Sequence, residues 1–407
     1  MDRGLMPTGK PRVQNMIVLC RLQCDSDGSA IVSNSLFESA LVRTLSIDDD
    51  IFTGLDYSWL RKNYPVPSHQ DVIHQVEDFL ASPRPENPPR ETLWVFNIGF
   101  WDIWNLAALP RKLAVRIIET QAQHIFSQIE ILYEESHKNY SAAFSDYYTG
   151  MDLGPVHATG QKTLPQAPFR VFIPKPFDVS MTPGFENARF VPPPPHIKAE
   201  EMRNAAFLTR HWDKVVQEML NEWTHLPEPE DICGEEEDLF KIIDPDLESS
   251  TQRAKIDGFY VPPARREAIT YDVSSYIKEL IVERQLRDAD IVDCNGLGPV
   301  VKDEGYEDVT CPCIQKDKGF RDFNDITDDG TKGNSGLTVC DVPDEHLFWT
   351  EFTVNRRVVF DVGRRAAELL KRHMEMDVEW LNKAQQPLSS LRKGVKGVPL
   401  RASGFEA

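Results

Sequence analysis

The chain has 407 residues, of which 41% are hydrophobic, 10% aromatic and 27% charged. This is the composition of a globular protein, since disordered chains carry fewer apolar side chains and membrane proteins carry fewer charges. The formal net charge is −19, which repels phosphate backbones and argues against nucleic acid as a partner. No run approaches the roughly 18 apolar residues of a membrane-spanning helix, so we expect no membrane span.

The N-terminal sequence has no recognisable secretory signal, because its most apolar run, residues 16–20, is too short for a signal-peptide core. We therefore expect a cytoplasmic protein. It has seven cysteines, and in a reducing compartment most should be free thiols. The run Cys311-Pro312-Cys313 is too tight for zinc ligation, and no glycine-rich phosphate or dinucleotide loop is present. The sequence predicts neither a metal site nor a cofactor.

The first half of the chain predicts two strands and two long helices. The β-forming run at 92–98 is typical of a buried strand. Pro110 opens a helix that should end near residue 137, since apolar residues recur there at helical spacing. Residues 169–174 predict a second buried strand ending at a proline, and residues 198–223 predict another helix.

The second half is less regular. Residues 227–250 are strongly acidic and predict an exposed insertion. A long helix is predicted over 265–288, with Ile269 on its inward face. Residues 293–345 are rich in glycine and aspartate and predict an irregular loop, and the final helix is predicted over 355–383.

The alternation of strands and long helices predicts an α/β sandwich with a mostly parallel sheet. We expect one domain over residues 17–385, an N-terminal extension at 1–16 and a C-terminal tail at 386–407. In such folds ligands bind outside the carboxyl ends of the strands. This places residues 97–102 and 175–178, which follow the two predicted strands, at the rim of the expected site.

Two segments resemble sequence blocks of a known family. Residues 94–104, Trp-Val-Phe-Asn-Ile-Gly-Phe-Trp-Asp-Ile-Trp, resemble the third block of the SGNH (GDSL-type) hydrolases, particularly a fungal group. Residues 347–353, Leu-Phe-Trp-Thr-Glu-Phe-Thr, resemble their final block, which normally reads apolar-Phe-Trp-Asp-x-x-His, and residues 30–36 lie where the second block would fall. The resemblance covers residues 17–375. It implies a three-layer α/β/α sandwich of the SGNH-hydrolase, flavodoxin-like type.

The catalytic groups of that family have no counterpart at the matching positions. The family's serine follows the first strand in a Gly-Asp-Ser block. The most similar segment here is Asp-Ser-Asp-Gly at residues 25–28, which contains Ser26. Trp101 stands where the family has an asparagine that donates to the oxyanion, and Thr350 and Thr353 stand in place of the acid and the base. A threonine hydroxyl cannot act as a general base near neutral pH. His346 could take that role only if the loop register shifted.

The residues at this rim are suited to hold a ligand. For catalysis we expect Trp101 to supply an apolar wall and one N–H donor. Asp102 should orient a neighbouring group or accept a hydrogen bond, and Thr353 should offer a neutral hydroxyl. The expected ligand-binding residues are Asn34, Phe100, Trp104, Asp178, Trp349 and Thr350. In an alternative interpretation the aromatic residues are core and Asp102 only caps a turn.

Three functions remain open. The first is a non-hydrolytic enzyme of fungal secondary metabolism, which would bind a hydrophobic small molecule and promote its cyclisation or isomerisation, including pericyclic closure, by pose control and hydrogen bonding. The second is a non-catalytic binding or interaction protein on the same scaffold. The third is an esterase whose sequence has lost its N-terminus. The sequence leaves the substrate and the oligomeric state open.

Overall fold

The computed structural model describes residues 15–19, 32–44, 54–63, 71–89, 91–147, 168–226, 264–299, 305–316 and 337–384. The acidic insertion at 227–250, the tail at 386–407, Ser26 and most of the N-terminal extension lie outside the described residues. The chain divides into two units, Met1–Val362 and Gly363–Ala407, and each is described by itself.

A four-stranded parallel sheet forms the centre of the first unit. Its strands are β1 (Asn15–Leu19), β2 (Thr92–Phe96), β3 (Phe169–Lys175) and β4 (Arg266–Asp272). They lie in the order β1-β2-β3-β4, and every neighbouring pair is parallel. Because parallel neighbours need long crossover connections, the helices fall between the strands in sequence. The prediction of an α/β fold with a parallel sheet is confirmed, as are the strands predicted at 92–98 and 169–174.

Nine α-helices lie within the described residues. They are α1 (Asn34–Arg43), α2 (Leu60–Asn63), α3 (Val72–Leu80), α4 (Phe100–Leu106), α5 (Arg111–Glu135), α6 (Pro183–Asn187), α7 (Lys198–Thr224), α8 (Val273–Asp288) and α9 (Arg356–Ala384). The helices predicted at 110–137, 198–223 and 355–383 correspond to α5, α7 and α9 and are confirmed. In this part of the chain, no helix is both long and apolar enough to cross a bilayer.

The prediction of a helix over 265–288 is wrong for residues 266–272 and correct for residues 273–288. Residues 266–272 form β4, which pairs with β3 from Phe169 to Lys175. Ile269 therefore packs as a strand residue, since its partner on β3 is Phe172. The boundary falls at Asp272, whose side chain accepts a hydrogen bond from the Ser275 N–H at 2.8 Å and caps α8.

The loop predicted at 293–345 contains regular structure. Strand β5 (Asp308–Pro312) pairs in parallel with β8 (His346–Phe348), and β6 (Ile314–Lys316) pairs in antiparallel with β7 (Leu337–Val339). Long-range pairing of such short strands leaves little signal in the sequence.

A disulfide joins Cys313 to Cys340, whose Cα atoms are 4.9 Å apart. Cys294 and Cys311 are free thiols. The expectation that the cysteines are mostly unpaired is therefore wrong for two of the four described. The cytoplasmic location stays a prediction, and this bond weighs against it, because disulfides persist mainly in oxidising compartments.

The main core lies between the sheet and the helices of the first unit. Its largest fully buried side chains include Trp94 and Phe96 on β2, Phe169 on β3 and Trp212 on α7. Helices α5 and α7 pack against each other alongside this cluster. Burying each such side chain stabilises the fold by roughly 1.5–3 kcal/mol, which fixes α7 relative to the strand ends.

Candidate functional site

The turn after β2 is held by a glycine. Gly99 has a φ of 101° and caps α4. A Cβ atom placed there would lie 2.6 Å from the ring of Trp212. Only glycine fits both the left-handed backbone and this close approach, so the start of α4 is fixed against α7.

Asp102 lies in the first turn of α4 and is 2% exposed. Its Oδ1 accepts hydrogen bonds from the Val32 N–H at 3.1 Å and from Nε2 of Gln121 at 2.7 Å. Burial raises the pKa of Asp102 to about 7. The side chain joins the start of α1, the first turn of α4 and α5. Asp102 is a positioning residue, because both of its carboxylate oxygens accept hydrogen bonds from other groups of the protein.

Five aromatic side chains form what we call the aromatic cluster: Phe100, Trp101, Trp104, Phe185 and Phe352. The ring of Phe352 lies 5.0 Å from the rings of both Trp101 and Trp104. Trp104 also contacts Phe185 edge-on at 5.6 Å. The structure thus brings the predicted residues of α4 together with the segment before α9. Trp104 is 9% exposed, whereas Phe100 and Trp101 are half-buried.

A buried ion pair lies under the aromatic cluster. Nε of Arg189 is 2.5 Å from Oε2 of Glu201, and Nη1 of Arg189 donates to the Trp104 carbonyl at 2.7 Å. The guanidinium also lies over the rings of Trp104 and Phe185, at 4.8 and 4.7 Å from their centroids. A fully desolvated pair of this kind adds little net stability but fixes geometry. The sequence analysis missed it, because neither residue lies in a recognisable motif.

Thr350 and Thr353 hydrogen-bond to each other. Their hydroxyl oxygens are 2.6 Å apart, and the Thr353 N–H donates to the Thr350 hydroxyl at 3.1 Å. The Trp349 N–H donates to the Thr353 carbonyl at 2.8 Å, which closes the turn. Trp349 is 37% exposed. The two hydroxyls stabilise a tight turn that places Phe352 in the aromatic cluster.

The remaining predicted residues lie at other turns. Asn34 begins α1, and its backbone N–H donates to Oδ2 of Asp71 at 3.2 Å. Asp178 follows β3, is 5% exposed and accepts from the Ser180 N–H at 3.1 Å. His346 is on β8, where its Nδ1 lies 3.2 Å from the Cys311 carbonyl oxygen.

The sequence analysis missed Asp213, a half-buried carboxyl on α7. It lines a shallow depression beside the carboxyl ends of β3 and β4, together with Ile173, Pro174, Lys175, Trp212 and Thr270. Its Oδ1 is inaccessible to solvent and has no hydrogen-bond partner among the described residues. Burial raises the pKa of Asp213 to about 6, and the Lys175 charge opposes that rise.

Charged side chains surround Asp213 on two sides. Nζ of Lys175 lies 3.8 Å from Oδ2 of Asp272, so the ends of β3 and β4 carry an ion pair at the mouth of the depression. Asp178 and Lys278 also act on Asp213 through their charges. No motif in the sequence indicated Asp213. Its place depends on the packing of α7 over the ends of β3 and β4, which the local sequence does not reveal.

A second depression lies at the opposite end of the sheet. Phe79, Pro83, Thr92 and Phe144 are among its lining residues. Thr92 is the first residue of β2, so this depression lies at the amino end of the strand. Parallel sheets bind ligands at their carboxyl ends, and the Asp213 depression is therefore the stronger candidate.

Within the described ranges, no three His, Cys, Asp or Glu side chains are placed to hold a metal ion. No protein-family model matches the chain, and no curated protein matches it either. The fold and the site define an α/β protein with a half-buried acid and an aromatic cluster near the carboxyl end of its sheet.

Proposed function

We propose that the chain binds a hydrophobic small molecule at the carboxyl end of its sheet and promotes a cyclisation or isomerisation, including pericyclic closure, without hydrolysis. The proposal rests on the half-buried carboxyl group of Asp213 in the depression. One of its oxygens has no partner among the described residues, and it lines a depression whose walls are largely apolar. A carboxyl with a pKa of about 6 accepts and donates protons near neutral pH.

The proposed scaffold is a degenerate SGNH-hydrolase-like, three-layer α/β/α sandwich recruited to fungal secondary metabolism. The positions of the two sequence blocks support it. The third block supplies β2, the Gly99 turn and α4, and the final block supplies β8 and the turn after it. These distant blocks meet where Phe352 packs on Trp101 and Trp104, as the resemblance implies.

In the proposed reaction the apolar walls hold the substrate in a folded pose, and a bound near-attack conformer lowers the barrier without any nucleophile. For an isomerisation, the Asp213 carboxylate takes a proton from one substrate carbon and returns it to another, so no atom is gained or lost. The Lys175 ammonium stabilises negative charge that develops on a substrate oxygen meanwhile. A pericyclic closure needs only the folded pose of the bound substrate and no proton transfer by Asp213.

The test uses metabolites that accumulate in a strain lacking the gene. We expect the purified protein to convert one of them to an isomer of identical mass, detected by chromatography and mass spectrometry. Asp213→Asn should lower the rate of an isomerisation at least tenfold without lowering the melting temperature, because the amide cannot carry the proton. The matched control is Glu218→Gln, also on α7, whose side chain is 65% exposed.

The pH dependence separates general-base catalysis from a structural role. The carboxylate form of Asp213 increases as the pH rises through about 6, so the isomerisation rate should rise across this range and level off above it. Conversion by Asp213→Asn at the wild-type rate would contradict general-base catalysis by Asp213 and leave only a closure driven by the pose. A product of hydrolysed mass would contradict the proposal as a whole.

A second candidate function is binding without catalysis. It is favoured by Asp102 and the two threonines, whose oxygens already bond to protein atoms. In that case the same incubation leaves every metabolite unchanged, while one of them raises the melting temperature of the protein.

A further inference from the structure

The depression at the amino end of β2 has rigid, apolar walls. Its lining includes three prolines of the loop at 83–89 and the rings of Phe79 and Phe144. The Asp146 N–H donates to the Pro89 carbonyl at 2.7 Å, which ties the proline loop to the segment that carries Phe144. Because proline restricts the backbone, a ligand that binds here orders little of the chain and loses little affinity to that cost.

The two hydroxyl groups among the lining residues are already bonded to protein atoms. Oγ of Ser82 donates to the Phe79 carbonyl at 2.5 Å, and Oγ1 of Thr92 lies 3.0 Å from Oγ of Ser145. Thr92 and Ser145 are each 2% exposed, so their bond is shielded from water. The depression therefore favours an apolar group, since a polar group would lose its hydrogen bonds to water without replacing them.

The size of the depression limits the group that it can hold. Its volume is about 80 Å³. A closed cavity of about 150 Å³ holds one benzene molecule, so the depression has room for a smaller group, such as a branched chain of about four carbons. The depression is open on one side, because Ser82 and Pro83 are exposed, and the rest of a ligand extends past this rim.

Arg84 supplies a positive charge at the rim. It stands between two of the lining prolines, and its guanidinium carbon lies 4.8 Å from the ring centroid of Phe144. Arg84 is exposed and forms no ion pair with any described residue. The contact with the ring holds the guanidinium beside the depression. A guanidinium in this position can bind a carboxylate through two parallel hydrogen bonds.

We propose that this depression binds a small branched-chain carboxylic acid, with its apolar end against the prolines and Phe144 and its carboxylate on the Arg84 guanidinium. An inorganic anion would leave the apolar walls uncovered, and a long acyl chain exceeds the volume. The site is separate from the Asp213 depression, because it lies at the other end of the sheet, and it binds its ligand without any reaction at Asp213.

Binding to the full chain is measured by saturation-transfer difference NMR with 4-methylpentanoate as the probe. We expect saturable binding with a Kd of about 1 mM, as for a ligand of so few atoms. The two methyl groups should give the strongest signals, because they enter the depression. The neutral 4-methylpentanamide and the shorter acetate should each bind at least about fivefold more weakly, since each lacks one of the two contacts.

Arg84→Met keeps the apolar stem and removes the charge, so it should weaken binding of 4-methylpentanoate at least about fivefold and leave binding of the amide unchanged. Arg210→Met is the matched control, because Arg210 is also exposed but lies on α7, away from the depression. This variant loses the same charge and should bind the acid as the wild type does. Equal affinities of the wild type for acid and amide, wild-type binding by Arg84→Met, or no saturable binding of the acid would overturn the proposal.

Discussion

At the scale of single residues, Gly99 makes the sharpest prediction about stability. Gly99→Ala must place a Cβ 2.6 Å from the Trp212 ring and hold an L-residue at a φ of 101°. The backbone conformation costs roughly 1–2 kcal/mol, and overpacking adds about 1–3 kcal/mol. We expect the free energy of unfolding in urea to fall by about 3 kcal/mol.

Gly54 is the matched control for this substitution. Its φ is +73°, and nothing lies within 4 Å of the Cβ that alanine would add. Gly54→Ala should therefore cost only the backbone component. Equal losses at the two positions would show that Trp212 yields without cost and that the start of α4 is not fixed by this contact.

The sequence analysis identified some residues of the site and missed others for a physical reason. Trp101 and Asp102 follow a strand whose apolar run is visible in the sequence, so their place at the strand end was predictable. Which way Asp102 faces depends on Val32 and Gln121, which are distant in the chain. Asp213 lies in the middle of a long helix, and only the packing of α7 over the strand ends distinguishes it.

At the scale of elements, the disulfide should hold the β6–β7 pair together. Each of these strands has three residues, and so short a two-stranded ladder is marginal in water. Cys313 directly precedes β6, Cys340 directly follows β7, and the sequence separation is 27. Closing a loop of that length stabilises the folded state by about 3–4 kcal/mol in the chain-entropy description.

We expect Cys340→Ser to increase amide hydrogen exchange in peptides covering β6 and β7, while exchange in β2 and β3 stays as in the wild type. Cys294→Ser is the control, since Cys294 is an exposed free thiol. Unchanged exchange in β6 and β7 after Cys340→Ser would mean that the ladder and its contacts suffice without the bond.

Elements with a strong local pattern were predicted correctly, and those defined by partners were not. Strands β2 and β3 are continuous apolar runs, and α5, α7 and α9 keep a helical period over many turns. Strand β4 reads Arg-Glu-Ala-Ile-Thr-Tyr-Asp, which lacks such a run and continues directly into α8. Its identity as a strand comes from pairing with β3, so local sequence could not reveal it.

At the scale of the whole molecule, the fold places two chemically different regions near the same end of the sheet. Trp212 connects them, because its ring lies against Gly99 while its neighbour Asp213 lines the depression at β3 and β4. The aromatic cluster is packed ring on ring, whereas Asp213 has an oxygen without a partner among the described residues. The depression therefore offers a carboxyl group, which the aromatic cluster lacks.

The same arrangement predicts that the chain has no ordinary esterase activity. A serine hydrolase needs a histidine base held by an acid. At the matching positions, Thr350 and Thr353 hydrogen-bond to each other at 2.6 Å, and the Nδ1 of His346 lies 3.2 Å from the Cys311 carbonyl oxygen. Losing one member of such a unit already lowers the rate by orders of magnitude. A short-chain nitrophenyl ester should therefore be cleaved no faster than by an equal concentration of serum albumin. The measurement is nitrophenol release before and after treatment with a fluorophosphonate, and rapid turnover that this reagent abolishes would show that a reactive serine is present after all.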